Sequence, residues 1–175
     1  PMTQALQAAY IVAALRTPVG KARGVFRSTR PDDLLAHVLK GVAAELPSLP
    51  LEKIEDVLVG CAMPEAEQGM NVARISALLA GFPNNVPGVT VNRFCASGLQ
   101  TIAMAAERIT TGAAEVLIAG GTESMSMIPM GGYNFSANPA IFNNEHIGIA
   151  FGMGLTAEKV AEQWQVSRQA QDEFA

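Results

Sequence analysis

Cys95 carries the most distinctive chemistry in this sequence, because the run Val91-Asn92-Arg93-Phe94-Cys95-Ala96-Ser97-Gly98-Leu99-Gln100 passes from a strand pattern to a helix pattern around it. A thiol so placed lies at or just before a helix N-terminus. There the unpaired backbone N–H groups and the positive end of the helix dipole favour the thiolate, which is the nucleophilic form. Ala96, Ser97 and Gly98 are small enough to let a substrate approach the backbone closely, and the Cys95 N–H can help hold a developing oxyanion. The segment has the form of a nucleophile elbow. Thioesters suit it, since thiolate attack on an acyl thioester exchanges one thiolate for another of similar basicity, with acyl transfer through a covalent intermediate. The competing reading is structural: a free cysteine between Phe94 and Ala96 is more often a small buried hydrophobe.

The other candidates are weaker. Cys61 also follows a strand pattern, but it leads into Ala62-Met63-Pro64 with no helix start, which reads as a structural role. His37 falls inside an amphipathic helix and reads as an exposed side chain. His146, in Asn144-Glu145-His146-Ile147-Gly148, lies in an irregular stretch and is a candidate to face substrate. The two cysteines are too far apart for a CxxC motif and have no histidine cluster at ligand spacing, so neither a metal site nor a disulfide framework is expected.

Strands and helices alternate along the chain that must position these groups. Tyr10–Ala13 reads as a short strand closed by Arg16-Thr17-Pro18-Val19-Gly20. Thr29 or Asp32 can cap a helix whose apolar positions Leu34, Leu35, Val38, Leu39, Val42 and Leu46 run to Pro47 and Pro50. Asp56–Gly60 is a second strand. Asn71 caps a helix through Val72, Ile75, Leu78 and Leu79, with Gly81 in the C-terminal position. Val89–Val91, a helix from about Ala96 to Thr111 ended by Gly112, and a strand Val116–Ala119 closed by Gly120 and Gly121 complete the series. This order predicts an α/β domain with a largely parallel sheet covered on both faces. Beyond Thr122, methionine, glycine and asparagine fill a stretch without sustained period, after which helices are expected near Thr156–Trp164 and after Ser167. The chain stops at Ala175 inside that last helix, as if truncated within a domain.

Composition narrows the function classes. The 175 residues are 49% hydrophobic, with a mean hydropathy of +0.22, which fits a folded domain with a sizeable core. Only 16% are charged, against roughly 25% in an average domain, so much of the surface is expected to be covered by other protein. A net charge of -4 offers no basic stripe for phosphates, and nucleic acid is set aside. Ala5–Leu15 is apolar but lacks a preceding basic region, and no run reaches the roughly 18 apolar residues of a membrane span. An intracellular, cytoplasmic location is the default.

The segment around Cys95 resembles the acyl-enzyme cysteine segment of thiolases. The likeness extends, in order, through Arg16-Thr17-Pro18-Val19-Gly20-Lys21, Gly69-Met70-Asn71-Val72-Ala73-Arg74, Ala119-Gly120-Gly121-Thr122-Glu123-Ser124-Met125-Ser126 and Met153-Gly154-Leu155-Thr156-Ala157-Glu158. The resemblance implies a thiolase-like N-terminal domain with a mostly parallel mixed sheet and helices on both faces. It divides the chain into an α/β domain at 1–121 and the beginning of a loop region covering the active site at 122–175, with the family's C-terminal domain absent. It implies a ping-pong acyltransferase with Cys95 as nucleophile and coenzyme A as substrate, no metal and no bound cofactor. The expected reaction is thiolytic cleavage of a 3-ketoacyl-CoA, as in fatty acid β-oxidation. A biosynthetic thiolase forming acetoacetyl-CoA, a ketoacyl synthase and a non-catalytic acyl-CoA or lipid-binding module are the alternatives, and the Gly-Gly-Thr-Glu-Ser-Met-Ser segment argues against the synthase. A homodimer or homotetramer, with a β-oxidation partner subunit as a further association, is what the family suggests.

Residue by residue, the resemblance aligns Met153 with a methionine lining the acyl and pantetheine pocket, and a core methionine filling a gap is an equally good reading. Asn71, Arg74 and Glu123 match the family but have good structural explanations as a helix cap, a paired side chain and a carboxylate bonded to loop N–H groups. Gly152 departs from the histidine many short-chain thiolases have there, which leans towards a broader 3-ketoacyl specificity. The family's Gly-His-Pro base and Cys-x-Gly-x-Gly acid do not occur in this sequence, so the 175-residue chain by itself is expected to lack most of the activity.

Overall fold

The run Asp56–Gly60 (β1) is the middle strand of a three-stranded sheet in the computed structural model, which describes residues 6–143, 148 and 151–175. Gly88–Val91 (β2) pairs with it on one side and Leu117–Gly121 (β3) on the other, both parallel. Gly60 stands opposite both Val91 and Gly121, so the three strands end level. Val57, Leu58 and Val59 are wholly buried, as a central parallel strand with both faces covered must be.

The helices Pro31–Ala44 (α1), Val72–Leu79 (α2) and Ser97–Thr110 (α3) supply the cover. β1 passes through α2 to β2 in one direction, and β2 returns through α3 to β3 in the other. Right-handed crossovers in opposite directions put α2 and α3 on opposite faces. Val57, Val59 and Cys61 accordingly pack with Leu35, Leu39, Ala73, Ala77 and Val86 in one core on the α1 and α2 side. The expected parallel sheet between helix layers is what the chain forms; among the described residues no antiparallel member joins it.

Gly60 sets how closely α3 can approach. A Cβ at this position would lie 2.4 Å from the Ser97 carbonyl carbon and 2.5 Å from the Gly98 nitrogen, so the first turn of α3 rests on the bare backbone of β1. Neither contact is a movable side chain. Gly60→Ala is expected to destabilise the protein by about 1–3 kcal/mol through overpacking, read as a lower urea midpoint with an unchanged slope.

Local expectations fare unevenly. Asn71 caps α2 by accepting the Arg74 N–H (3.2 Å), and it also donates to Gly88 O (2.7 Å), joining that helix to β2. Gly81 follows α2 with φ 84, the left-handed conformation that glycine takes without steric penalty. The start of α1 is different from its expected form. Its N-cap is Arg30 with Pro31 as first helical residue, where the missing N–H is no loss. Asp32 lies within the first turn and forms a two-pronged pair with Arg30 (2.9 and 2.8 Å). β3 runs on through Gly120 and Gly121, since their pairing with Val59 and Gly60 continues the ladder.

Tyr10–Ala13 is not a strand. Its backbone finds no ladder partner among the described residues, and Tyr10, Ile11 and Val12 are 78%, 80% and 73% exposed. An apolar, β-prone run becomes a strand only when a neighbouring strand accepts its hydrogen bonds.

The chain separates into two compact units, Pro1–Asn134 and Phe135–Ala175. The second contains Met153–Trp164 (α4), which begins earlier than the expected Thr156, and Arg168–Phe174 (α5). Ser167 caps α5 by accepting the Ala170 N–H (3.1 Å).

Candidate active site

Residues 92–96 turn the chain from the end of β2 into α3, and side chains hold that turn from both ends. Asn92 Oδ1 accepts the Phe94 N–H (2.9 Å), the local bond by which asparagine folds its own backbone back. Ser97 Oγ accepts the Arg93 N–H (2.8 Å) and donates to Phe94 O (2.5 Å). Between them Phe94 has φ 46, a left-handed conformation uncommon for a bulky residue and a mark of local strain.

Cys95 follows directly, with its thiol exposed. The backbone bonds of the turn run from Ala96 N–H to Arg93 O and from Ser97 N–H to Phe94 O, both 3.1 Å, and the Cys95 N–H is not a donor in either. The thiol therefore stands just ahead of the first turn of α3, above the level carboxyl ends of three parallel strands, the edge where ligands bind in open α/β sheets. Two ties fix α3 beneath it. Buried Thr101 donates its hydroxyl to Gly120 O (2.9 Å), and Arg108 pairs with Asp56 at the start of β1 (2.6 Å).

Cys61 has the opposite surroundings. It is 1% exposed, and burial, followed by the nearby Glu123 charge, pushes its thiol up to about 12. An inert packed thiol is the result. Glu123 bonds to a loop N–H as its residue type suggested, with Oε2 accepting from Ala62 (2.6 Å). The same carboxylate accepts from Gln68, which is fully buried, donates to Met63 O (2.8 Å) and accepts the Ser124 N–H (3.0 Å).

His37 is exposed on α1, away from the core side of that helix. His146 lies outside the described residues. Met153 opens α4 in the second unit, 60% exposed, and with Val160, Ala161 and Val166 it lines an apolar groove of about 470 Å³.

Gln68 and Asn92 went unnoticed in the sequence. Asn92 had a usable signal, since an asparagine two residues before a helix-entry turn favours an Asx-type bond. Gln68 had none, because its partner Glu123 lies 55 residues further along.

Residues 9–175 match the model of the thiolase N-terminal domain. A 3-ketoacyl-CoA thiolase of Bacillus subtilis (strain 168) is 48% identical over 171 residues, covering 97% of this chain and 43% of the relative. A 3-ketoacyl-CoA thiolase of Vibrio vulnificus (strain YJ016) is 46% identical over 167 residues, covering 94% and 42%. Among solved structures, the acetyl-CoA acetyltransferase of Bacillus anthracis superposes with a TM-score of 0.78 at 31% identity, over 98% of this chain and 45% of that one. The chain thus spans less than half the length of the relatives it matches. With the elbow, the parallel sheet and the family match in agreement over nearly its whole length, this chain belongs to the thiolase family, as its N-terminal domain.

Proposed function

We propose that this chain supplies the nucleophilic half of an enzyme that moves acyl groups to and from coenzyme A through a thioester on Cys95. The observation that carries this reading is the exposed Cys95 thiol on a strained turn at the N-terminus of α3. In the cleavage direction the Cys95 thiolate attacks the 3-keto carbonyl of a 3-ketoacyl-CoA, and the C2–C3 bond breaks. Its electron pair leaves on the acetyl-CoA fragment, which takes up a proton, while the shortened acyl group stays on sulfur. The thiolate of a second CoA then attacks that thioester and expels Cys95 thiolate, so no electrons are gained or lost. The first turn of α3 and the Cys95 N–H offer donors to the oxyanion of each addition.

Relatives named 3-ketoacyl-CoA thiolase, 43–48% identical to this chain, support cleavage of 3-ketoacyl-CoA as the reaction. Gly152 supports the same choice.

The proton-transferring groups belong to segments this sequence does not contain, so the complete active site needs the remainder of a thiolase, with residues 1–121 as its α/β domain and 122–175 opening its loop region. Met153 and His146 are the candidates for substrate contact from that loop region. Exposed Tyr10, Ile11, Val12 and Leu99 give apolar surface for further protein to cover, either the second domain or another subunit of a dimer or tetramer. No helix among the described residues is long and apolar enough to cross a membrane, and an intracellular setting suits an enzyme using free CoA.

Brief incubation of the full-length protein with radiolabelled acetyl-CoA should leave about one hydroxylamine-sensitive label per chain, on Cys95. A protein that binds acyl-CoA yet takes no covalent label would be a binding module instead.

A further inference from the structure

One line of hydrogen bonds crosses the carboxyl ends of all three strands and finishes beside the nucleophile. It starts past β3 at Glu123, whose Oε2 accepts the Ala62 N–H (2.6 Å). Ala62, past the end of β1, accepts through its carbonyl from Asn92 Nδ2 (2.9 Å). Asn92, the first residue after β2, accepts the Phe94 N–H through Oδ1 (2.9 Å), and Cys95 comes next in the chain. Gln68, with no exposure, steadies the far end through Glu123, Met63 O and Ser124 N–H. Both halves of the Asn92 amide are in use, one as donor and one as acceptor.

We propose that Asn92 is a positioning residue for Cys95, holding Phe94 in its left-handed conformation so that the Cα–Cβ bond of Cys95 points its sulfur out of the turn. The proposal rests on Cys95 being the acyl nucleophile. Phenylalanine does not keep a φ of 46 unprompted, and such a conformation persists only where surrounding bonds over-determine it. Asn92 supplies one of those bonds directly and, through Ala62, refers the turn to the rigid ends of β1 and β3. Relaxation of φ at residue 94 would swing the sulfur, and a misplacement of about 1 Å at a reacting atom costs roughly a hundredfold in rate. Aspartate would keep the bond from the Phe94 N–H but lose the one to Ala62, because its second oxygen would face the Ala62 carbonyl without a proton to share.

The test is single-turnover acylation of the full-length protein by radiolabelled acetyl-CoA. Asn92→Ala is expected to acylate about a hundredfold more slowly, with half-saturation by acetyl-CoA changed by less than about twofold. Adding Phe94→Gly to Asn92→Ala should recover roughly tenfold of the lost rate, since glycine takes positive φ freely. A residue that served only overall stability would show no such recovery. If Asn92→Ala does not fold, as judged by its urea transition, the near-isosteric Asn92→Leu, which removes both the acceptor for Phe94 and the donor to Ala62, carries the same test with a loss of about tenfold or more. The proposal is overturned if the folded variant acylates within about threefold of the parent, if only half-saturation moves, or if glycine at 94 restores nothing. Cys95→Ala separates the two ideas: label persisting in that variant removes the nucleophile reading itself, whereas an unlabelled Cys95→Ala beside a fully active Asn92→Ala removes only the role of Asn92.

Discussion

Cys95→Ala in the full-length protein is expected to abolish acyl-enzyme formation and to lower turnover by at least about 10³-fold, while leaving the fold intact. The size follows from the chemistry. Removing the nucleophile of a covalent mechanism removes the intermediate, and what survives is the catalysis that binding and oxyanion donors can give alone. The fold should tolerate the change because the thiol is exposed and the turn is held by Asn92 and Ser97, with Cys95 a donor in neither of its backbone bonds. The urea midpoint should therefore move by less than about 0.5 kcal/mol equivalent, as at other surface positions. Turnover within about tenfold of the parent would refute the assignment of Cys95 as nucleophile.

The second large effect concerns Cys61. Its thiol lies at about 12 in the folded protein against an ordinary 9.0, raised first by burial and then by Glu123. At pH 8 about one molecule in ten thousand would carry the thiolate, against about one in ten for an unperturbed thiol. Iodoacetamide is thus expected to modify Cys61 about 10³-fold more slowly in native than in urea-unfolded protein, because the thiolate is the reacting form. Peptide mapping of the alkylated chain measures both rates. A native rate within tenfold of the unfolded one would mean that Cys61 is neither packed nor protonated as described.

The same shift has a consequence for stability. The folded state holds the Cys61 proton more tightly than the unfolded state, so the contribution is fully present below about pH 9 and is lost as pH rises towards about 12. Cys61→Ala or Cys61→Ser should flatten the alkaline limb of the stability curve in that window. Serine also places a hydroxyl in the core beside Val57 and Val59, so it should be the less stable of the two.

Local pattern told most of what depends on neighbouring residues. The β-branched run at 56–60, the caps at Asn71 and Ser167, the breaking glycine at 81 and the strand-to-helix passage at Cys95 all follow from chemistry within a few positions. These are short-range effects, so the sequence alone carries them. It also carried the family resemblance, since ordered segments from Arg16 to Glu158 recur whatever the chain's surroundings.

Tertiary structure decided the remainder. Tyr10–Ala13 has every local mark of a strand yet forms none, because a strand exists only through a partner supplied from elsewhere. The order β2-β1-β3, the approach of Ser97 and Gly98 to Gly60, and the joining of Gln68, Glu123, Ala62 and Asn92 depend on residues from about 30 to 60 positions apart meeting across the sheet. Neighbouring sequence marks Cys95 as able to react and Cys61 as able to pack. What makes one thiol open and the other buried is that β2 ends in a strained turn at the sheet's edge, while β1 ends inside the core with a carboxylate beside it.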